Sequence, residues 1–187
     1  MDTRTAVVFG ATGLIGRELV KELIGSDTYK QVKIFVRKTA GFPQNEKLKE
    51  CIIDFESLNG CSDHISGDDL YIALGTTIKK AGSVARMEEI DRDLPVRLAS
   101  IASANRVARL AVVSSIGANP ASKNYYLRIK GEMEQAMLGL NFKTIAVMRP
   151  SLLLGNREEK RTGESISKVV MKGLGYFLTG KLKKYRA

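Results

Sequence analysis

The chain has 187 residues, 44% of them hydrophobic and 27% charged, and 30 Lys and Arg against 20 Asp and Glu leave a formal net charge of +10. One domain of this size buries roughly 70% of the surface its unfolded form exposes, so disordered and fibrous classes are excluded. The surplus charge is uneven: from Arg157 onward nine basic residues stand against three acidic ones. No apolar run approaches the roughly 18 residues of a membrane span, and no apolar leader follows Met1. Two cysteines, Cys51 and Cys61, and the lone His64 are too few for a disulfide scaffold or a zinc site. A cytoplasmic protein without a metal is expected.

Short apolar runs alternate with segments of helical period. Residues 5–9 (TAVVF), 31–36 (QVKIFV), 51–53, 70–74 (LYIAL), 109–114 (RLAVVS) and 144–148 (TIAVM) are the expected strands. They lack in-out alternation, as parallel strands covered on both faces do. Helices are expected at 14–24, ended by Gly25, at 84–105 with a start or kink at Pro95, and at 125–140. This order predicts an α/β fold, a doubly wound parallel sheet of Rossmann type in a single domain over 1–187. Residues 156–187 read as a small basic C-terminal extension with one short helix at 164–172.

Between the first strand and first helix lies Gly10-Ala11-Thr12-Gly13-Leu14-Ile15-Gly16. Glycines permit a tight turn and a close approach of backbone to a pyrophosphate, and a helix N-terminus offers unpaired N–H groups to it. An ordinary strand-helix turn would look similar in isolation; the position in an alternating pattern favours cofactor binding. The second strand ends in Arg37-Lys38 where NAD-selective folds carry a carboxylate. A guanidinium grips a 2′-phosphate that a carboxylate repels, so NADP (NADPH) is expected over NAD. Asp54 after the third strand either sits beside the adenine or caps a short turn from Glu56. Leu74-Gly75-Thr76-Thr77 ends the fourth strand at the carboxyl edge, where open α/β folds bind ligands.

Tyr126 and Lys130 lie four residues apart on one helical face. Free tyrosine titrates near 10, and an adjacent cation favours phenolate. Ser114 and Ser115 end the preceding strand and offer a hydroxyl to a substrate carbonyl or alcohol. The alternative for the pair is helix packing. Arg149-Pro150 must turn out of the last strand, bringing the backbone of 150–153 to the same edge.

Taken together, GATGLIG, FVRK, ALGTT, SSIGA, YLRIK and MRPSLLLG resemble the short-chain dehydrogenase/reductase superfamily in its atypical NADP-binding form, most of all the small branch typified by the Tat-interacting oxidoreductase. The resemblance runs from about Thr5 to Glu164. It implies cofactor contacts at Ala11 to Ile15, Arg37, Lys38, Leu74, Gly75, Lys130, Leu153 and Arg161, with Tyr126 as proton donor or acceptor and Ser115 or Ser114 orienting the substrate. Asn105 is not a convincing match to the asparagine of the proton relay in many members. Members usually continue with a further strand and helix, so a truncated C-terminus is an open expectation at Ala187.

The expected activity is an NADP(H)-dependent oxidoreductase acting on a small carbonyl or alcohol. The alternative is a catalytically silent NADPH-sensing module with a protein partner. Nucleic-acid binding is not expected, because the basic tail holds no recognisable binding module.

Overall fold

A computed structural model describes residues 3–58 and 60–150. Six strands, β1 (Arg4–Phe9), β2 (Tyr29–Val36), β3 (Leu48–Ile52), β4 (Asp69–Ile72), β5 (Arg109–Val113) and β6 (Thr144–Met148), form one sheet in the order β3-β2-β1-β4-β5-β6. Every neighbouring pair is parallel. All six expected strands are present and the α/β, doubly wound Rossmann-like fold is the observed one.

Burial explains why the strands read as unbroken apolar runs. Ala6 and Val8 pack with Leu19, Val20 and Leu23 of helix α1 (Leu14–Gly25) on one face. Val7 and Phe9 pack on the other face with Leu98 and Ala102 of α4 (Leu94–Ala104) and Met133 and Met137 of α5 (Tyr125–Leu138). Each central strand is therefore buried on both sides, and a parallel sheet of this kind has no polar face to alternate.

The expected helix at 84–105 is divided. Ser83 caps α3 (Val84–Glu88), a π turn follows at Glu89–Asp93, and α4 begins with Pro95 in its first turn. Proline has no N–H for the carbonyl four residues back, and Leu94 N–H instead reaches Glu89 O, five residues back. The extra residue in this turn rotates the segment before Pro95. A short α2 (Ile78–Ala81), capped by the Thr77 hydroxyl, precedes it and was not anticipated. Among the described residues the connections β2–β3 and β3–β4 hold no α-helix, only a 3₁₀ turn at Ser62–His64. The extension 156–187 and its expected helix lie outside the described residues.

The amino edge of the sheet carries a buried polar network centred on Asp69. Asp69, fully buried at the start of β4, accepts a hydrogen bond from Tyr29 Oη at 2.7 Å and pairs with Arg109 Nε; Arg4 Nη1 lies 3.8 Å away. Tyr29 Oη is also 2.8 Å from Tyr71 Oη. Burial first, then Tyr71 and Asp69, push the Tyr29 phenol far above its ordinary value.

Candidate cofactor and proton-transfer site

At the carboxyl edge the glycine loop is shaped by contacts that exclude side chains. Gly10 has φ +85°, and a Cβ there would stand 2.4 Å from Ala73 O just past β4; a Cβ on Gly16 would stand 2.0 Å from Gly10 O. Gly13 is the N-cap of α1 and no side chain caps that end. Thr12, Gly13 and Leu14 are exposed, whereas Ala11 and Gly16 are buried and Ile15 is half-buried. An uncapped helix start over a cradle that a Cβ would fill suits a pyrophosphate, so the residues present fit a dinucleotide.

Arg37 and Lys38 are exposed just past β2, and among the described residues neither has a carboxylate partner. The loop behind them is tied on two sides. Arg17 Nη2 of α1 donates to Ala40 O at 3.0 Å, with its guanidinium 5.0 Å from the Phe42 ring centroid, and Ala40 N–H donates to Glu50 Oε2 at 2.9 Å. Arg17 and Glu50 carry no motif signal in the sequence, where a cation near the start of an amphipathic helix looks solvated. Asp54 is exposed and its Oδ1 accepts from Glu56 N–H at 2.9 Å. This is an Asx turn with no helix behind it.

Asn124 Oδ1 accepts from Leu127 N–H at 3.1 Å and starts α5, which sets Tyr126 and Lys130 one turn apart. The loop after β5 is pinned to this helix: a Cβ on Gly131 would meet Asn119 C at 2.3 Å, and Asn119 N–H donates to Leu127 O at 3.0 Å. Of the two serines, Ser115 is the one near enough to Tyr126 to lower its phenol. Ser115 Oγ also reaches Ile116 O at 3.3 Å. Ser114 Oγ is buried and has no hydrogen-bond partner among the described residues.

Lys130 differs from expectation. Its Nζ lies 2.8 Å from Asp91 Oδ1, with both side chains nearly inaccessible, and Asp91 Oδ2 accepts from Thr76 N–H at 3.0 Å. The Oδ1 contact is close but not aligned as a hydrogen bond. Burial first, then the Asp91 carboxylate, raise the Tyr126 phenol above the ordinary tyrosine value, against a lowering by Ser115. The phenol is thus shifted away from the expected lysine-favoured phenolate, with burial the larger cause and the Asp91 carboxylate adding to it. Gly75 passes the pair closely: a Cβ there would be 3.3 Å from Asp91 Oδ1 and 4.0 Å from Lys130 Nζ. Asp91 could have been found in sequence, since it interrupts the apolar stripe of Met87, Leu94, Leu98 and Ala102 at helical spacing.

Leu74 and Thr76 are half-buried beside Gly75 at the end of β4. Arg149 pairs with buried Glu134 of α5, fixing the chain where it leaves β6. Leu153 and Arg161 lie outside the described residues. Among those residues no three His, Cys, Asp or Glu side chains are grouped to hold a metal, and no helix is long and apolar enough to cross a membrane.

Sheets of this strand order bind dinucleotides where the order reverses, and between β1 and β4 that point carries the bare start of α1; the fold and cradle are those of an NAD(P)-binding Rossmann domain. The chain matches the family described as NAD(P)H-binding over residues 10–162 and belongs to it. Among curated proteins it is 37% identical over 167 residues to "Protein FMP52, mitochondrial" of Candida glabrata, covering 87% of this chain and 70% of that one. It is 32% identical over 171 residues to protein HTATIP2 of Rattus norvegicus, covering 90% and 70%. Among solved structures, the oxidoreductase ylbE of Lactococcus lactis superposes with a TM-score of 0.66 at 19% identity, over 90% of this chain and 85% of that one. The UDP-glucuronic acid 4-epimerase of Bacillus cereus in complex with NAD superposes at 0.63 and 15% identity, over 83% and 58%. These structural likenesses establish the Rossmann-like fold.

Proposed function

We propose that the protein is an NADP(H)-dependent oxidoreductase of the short-chain dehydrogenase type, acting on a small carbonyl or alcohol. The observation that carries this is the docking of the loop that follows β5, with its two serines, onto the helix that bears Tyr126 and Lys130, on a sheet whose carboxyl edge also carries the glycine cradle. In this reading residues 1–187 form one domain, with 156–187 its basic extension. The backbone of Gly10 to Gly16 and the start of α1 hold the pyrophosphate, and Arg37 and Lys38 hold the 2′-phosphate, with Leu74, Gly75, Thr76 and Asp54 lining the remainder. Leu153 and Arg161 complete the contacts.

The bound cofactor supplies or accepts a hydride. Ser115 orients the substrate oxygen and Tyr126 passes it a proton in reduction or takes one in oxidation; Ser114 is the second hydroxyl at hand. The raised phenol keeps Tyr126 protonated at neutral pH, which suits the donor role. Replacing Tyr126 with Phe removes that proton, and turnover on a carbonyl panel with NADPH is expected to fall by roughly 10²- to 10⁴-fold. Equal turnover by both proteins would remove Tyr126 from the mechanism.

A second reading is a silent NADPH-sensing module with a protein partner, favoured by one observation: the Lys130 charge is countered by Asp91 rather than directed at Tyr126. Tight NADPH binding without turnover on that panel would select it. For compartment, a reducing cytoplasm fits two free thiols. The FMP52 relatives are named mitochondrial, and imaging of the full-length chain separates the two.

A further inference from the structure

We infer that Asp91 is a positioning residue of this site: its carboxylate holds the Lys130 ammonium with one oxygen and the Thr76 N–H with the other, and it sets the charge that Tyr126 faces. The inference deepens the oxidoreductase reading and rests on Tyr126 as the proton-handling group.

Three elements meet at this carboxylate. The π turn brings Asp91 inward just before Pro95, α5 brings Lys130, and the loop after β4 brings Thr76. Asp91 is 0% exposed in an otherwise apolar stripe. Burying an acid there is costly unless it is paired, and both partners come from segments that line the candidate cofactor cleft. A residue serving packing alone would be apolar, like Met87, Leu94 and Leu98 on the same stripe.

The arrangement is incomplete in an informative way. Asp91 Oδ2 is bonded to a fixed backbone N–H, whereas Oδ1 holds Lys130 by proximity without an aligned hydrogen bond. The ammonium is therefore held by an ion pair, with the carboxylate fixed from its other oxygen. The gap left by the missing side chain of Gly75 borders the pair, so a ligand approaching the end of β4 comes close to Lys130. The groups that act on the Tyr126 phenol are Asp91 from the π turn and Ser115 from the loop after β5; Lys130, one turn along the same helix, is held by Asp91. Asp91 acts on Tyr126 as a like charge to the phenolate.

The test is an ultraviolet alkaline titration of tyrosinate in the cofactor-free full chain, with the Tyr126→Phe protein subtracted to isolate that phenol. Asp91→Asn removes the charge at nearly constant volume, and Tyr126 is expected to titrate about 1 pH unit lower than in the wild type. The double variant Asp91→Asn with Lys130→Gln leaves no unpaired buried charge, and its Tyr126 is also expected to titrate lower. In wild-type and Asp91→Asn enzyme, the alkaline limb of the NADPH-dependent reduction should move in the same sense. An unmoved Tyr126 titration in both variants overturns the role of Asp91, even if the wild type turns over and Tyr126→Phe does not. A shifted titration in a protein that reduces nothing leaves the role of Asp91 standing and removes the enzymatic reading instead.

Discussion

The two edges of the sheet each bury an aspartate, and the contrast between them separates support from chemistry. At the amino edge Asp69 is met by Arg109, Tyr29 and Arg4, and Tyr29 is joined to Tyr71, so the network spans the starts of β1, β2, β4 and β5. At the carboxyl edge Asp91 is met by one ammonium and one N–H, with Oδ1 lacking an aligned donor, and Ser114 Oγ nearby in sequence to Ser115 has no partner among the described residues. A network joined across four strand starts locks them in register, although Arg4 Nη1, 3.8 Å from the Asp69 carboxylate, has no hydrogen-bond partner among the described residues. An open one tolerates incomplete bonding, and such sites cluster where ligands complete them.

The sharpest way to break this contrast is at Asp69. Asp69→Ala leaves Arg109 and Arg4 beside a cavity without a counter-charge, and a loss of about 3–5 kcal/mol is expected in denaturant unfolding. NADPH affinity of the folded fraction should be unchanged; a drop in affinity without a drop in stability would show that the amino edge is not mere support. The opposite pattern is expected at Arg37. Arg37→Ala should weaken NADP(H) binding by roughly 10- to 100-fold, the scale of a lost charge-assisted hydrogen bond, while affinity for NAD and the unfolding midpoint stay where they are. Calorimetric titration with both nucleotides checks it, and equal losses for both would end the 2′-phosphate assignment.

The smallest effect is one of pH. Tyr29 and Tyr71 are both raised in the folded protein, burial being the first cause for each. Their folded values exceed the unfolded value of about 10, so the unfolded chain loses protons first. Their contribution is present below about pH 10 and is lost as pH climbs above it, at about 1.4 kcal/mol per pH unit for each tyrosine. Tyr29→Phe should make the alkaline decline shallower in thermal melts, and an unchanged slope would remove this tyrosine from the account.

The apolar part of the fold was legible in the sequence because burial on both faces writes itself as unbroken Val, Ile, Leu and Phe runs. The starts of the strands were clipped for the same reason. Arg4, Tyr29 and Asp69 each precede an expected strand, and each is a polar member of the amino-edge network, which an apolar run cannot announce. The glycine cradle and the facing of Tyr126, Lys130 and the two serines toward one edge followed from motif position. The choice between Ser114 and Ser115 as the neighbour of Tyr126 did not, because adjacent residues past a strand end are separated only by how the loop turns. Asp91 sits among Glu88, Glu89, Arg92 and Asp93 and so resembles one more solvated charge; its place on the stripe of Met87, Leu94, Leu98 and Ala102 is the sequence signal that it points inward, and the π turn is what puts it there.

The approach of Gly10 to Ala73 O sets an order of events during synthesis. β1 finds β2 within about 30 residues, but its other neighbour, β4, starts only at Asp69, and Ala73 N–H must reach Phe9 O to bring the Gly10 turn against that strand. Loop closure over such a span is slow relative to local pairing. A nascent chain that has released only β1, α1 and β2 has the glycines but not the wall they rest on, so nucleotide capture becomes a late milestone of folding, and a ligand that binds only the finished cradle draws the equilibrium toward it.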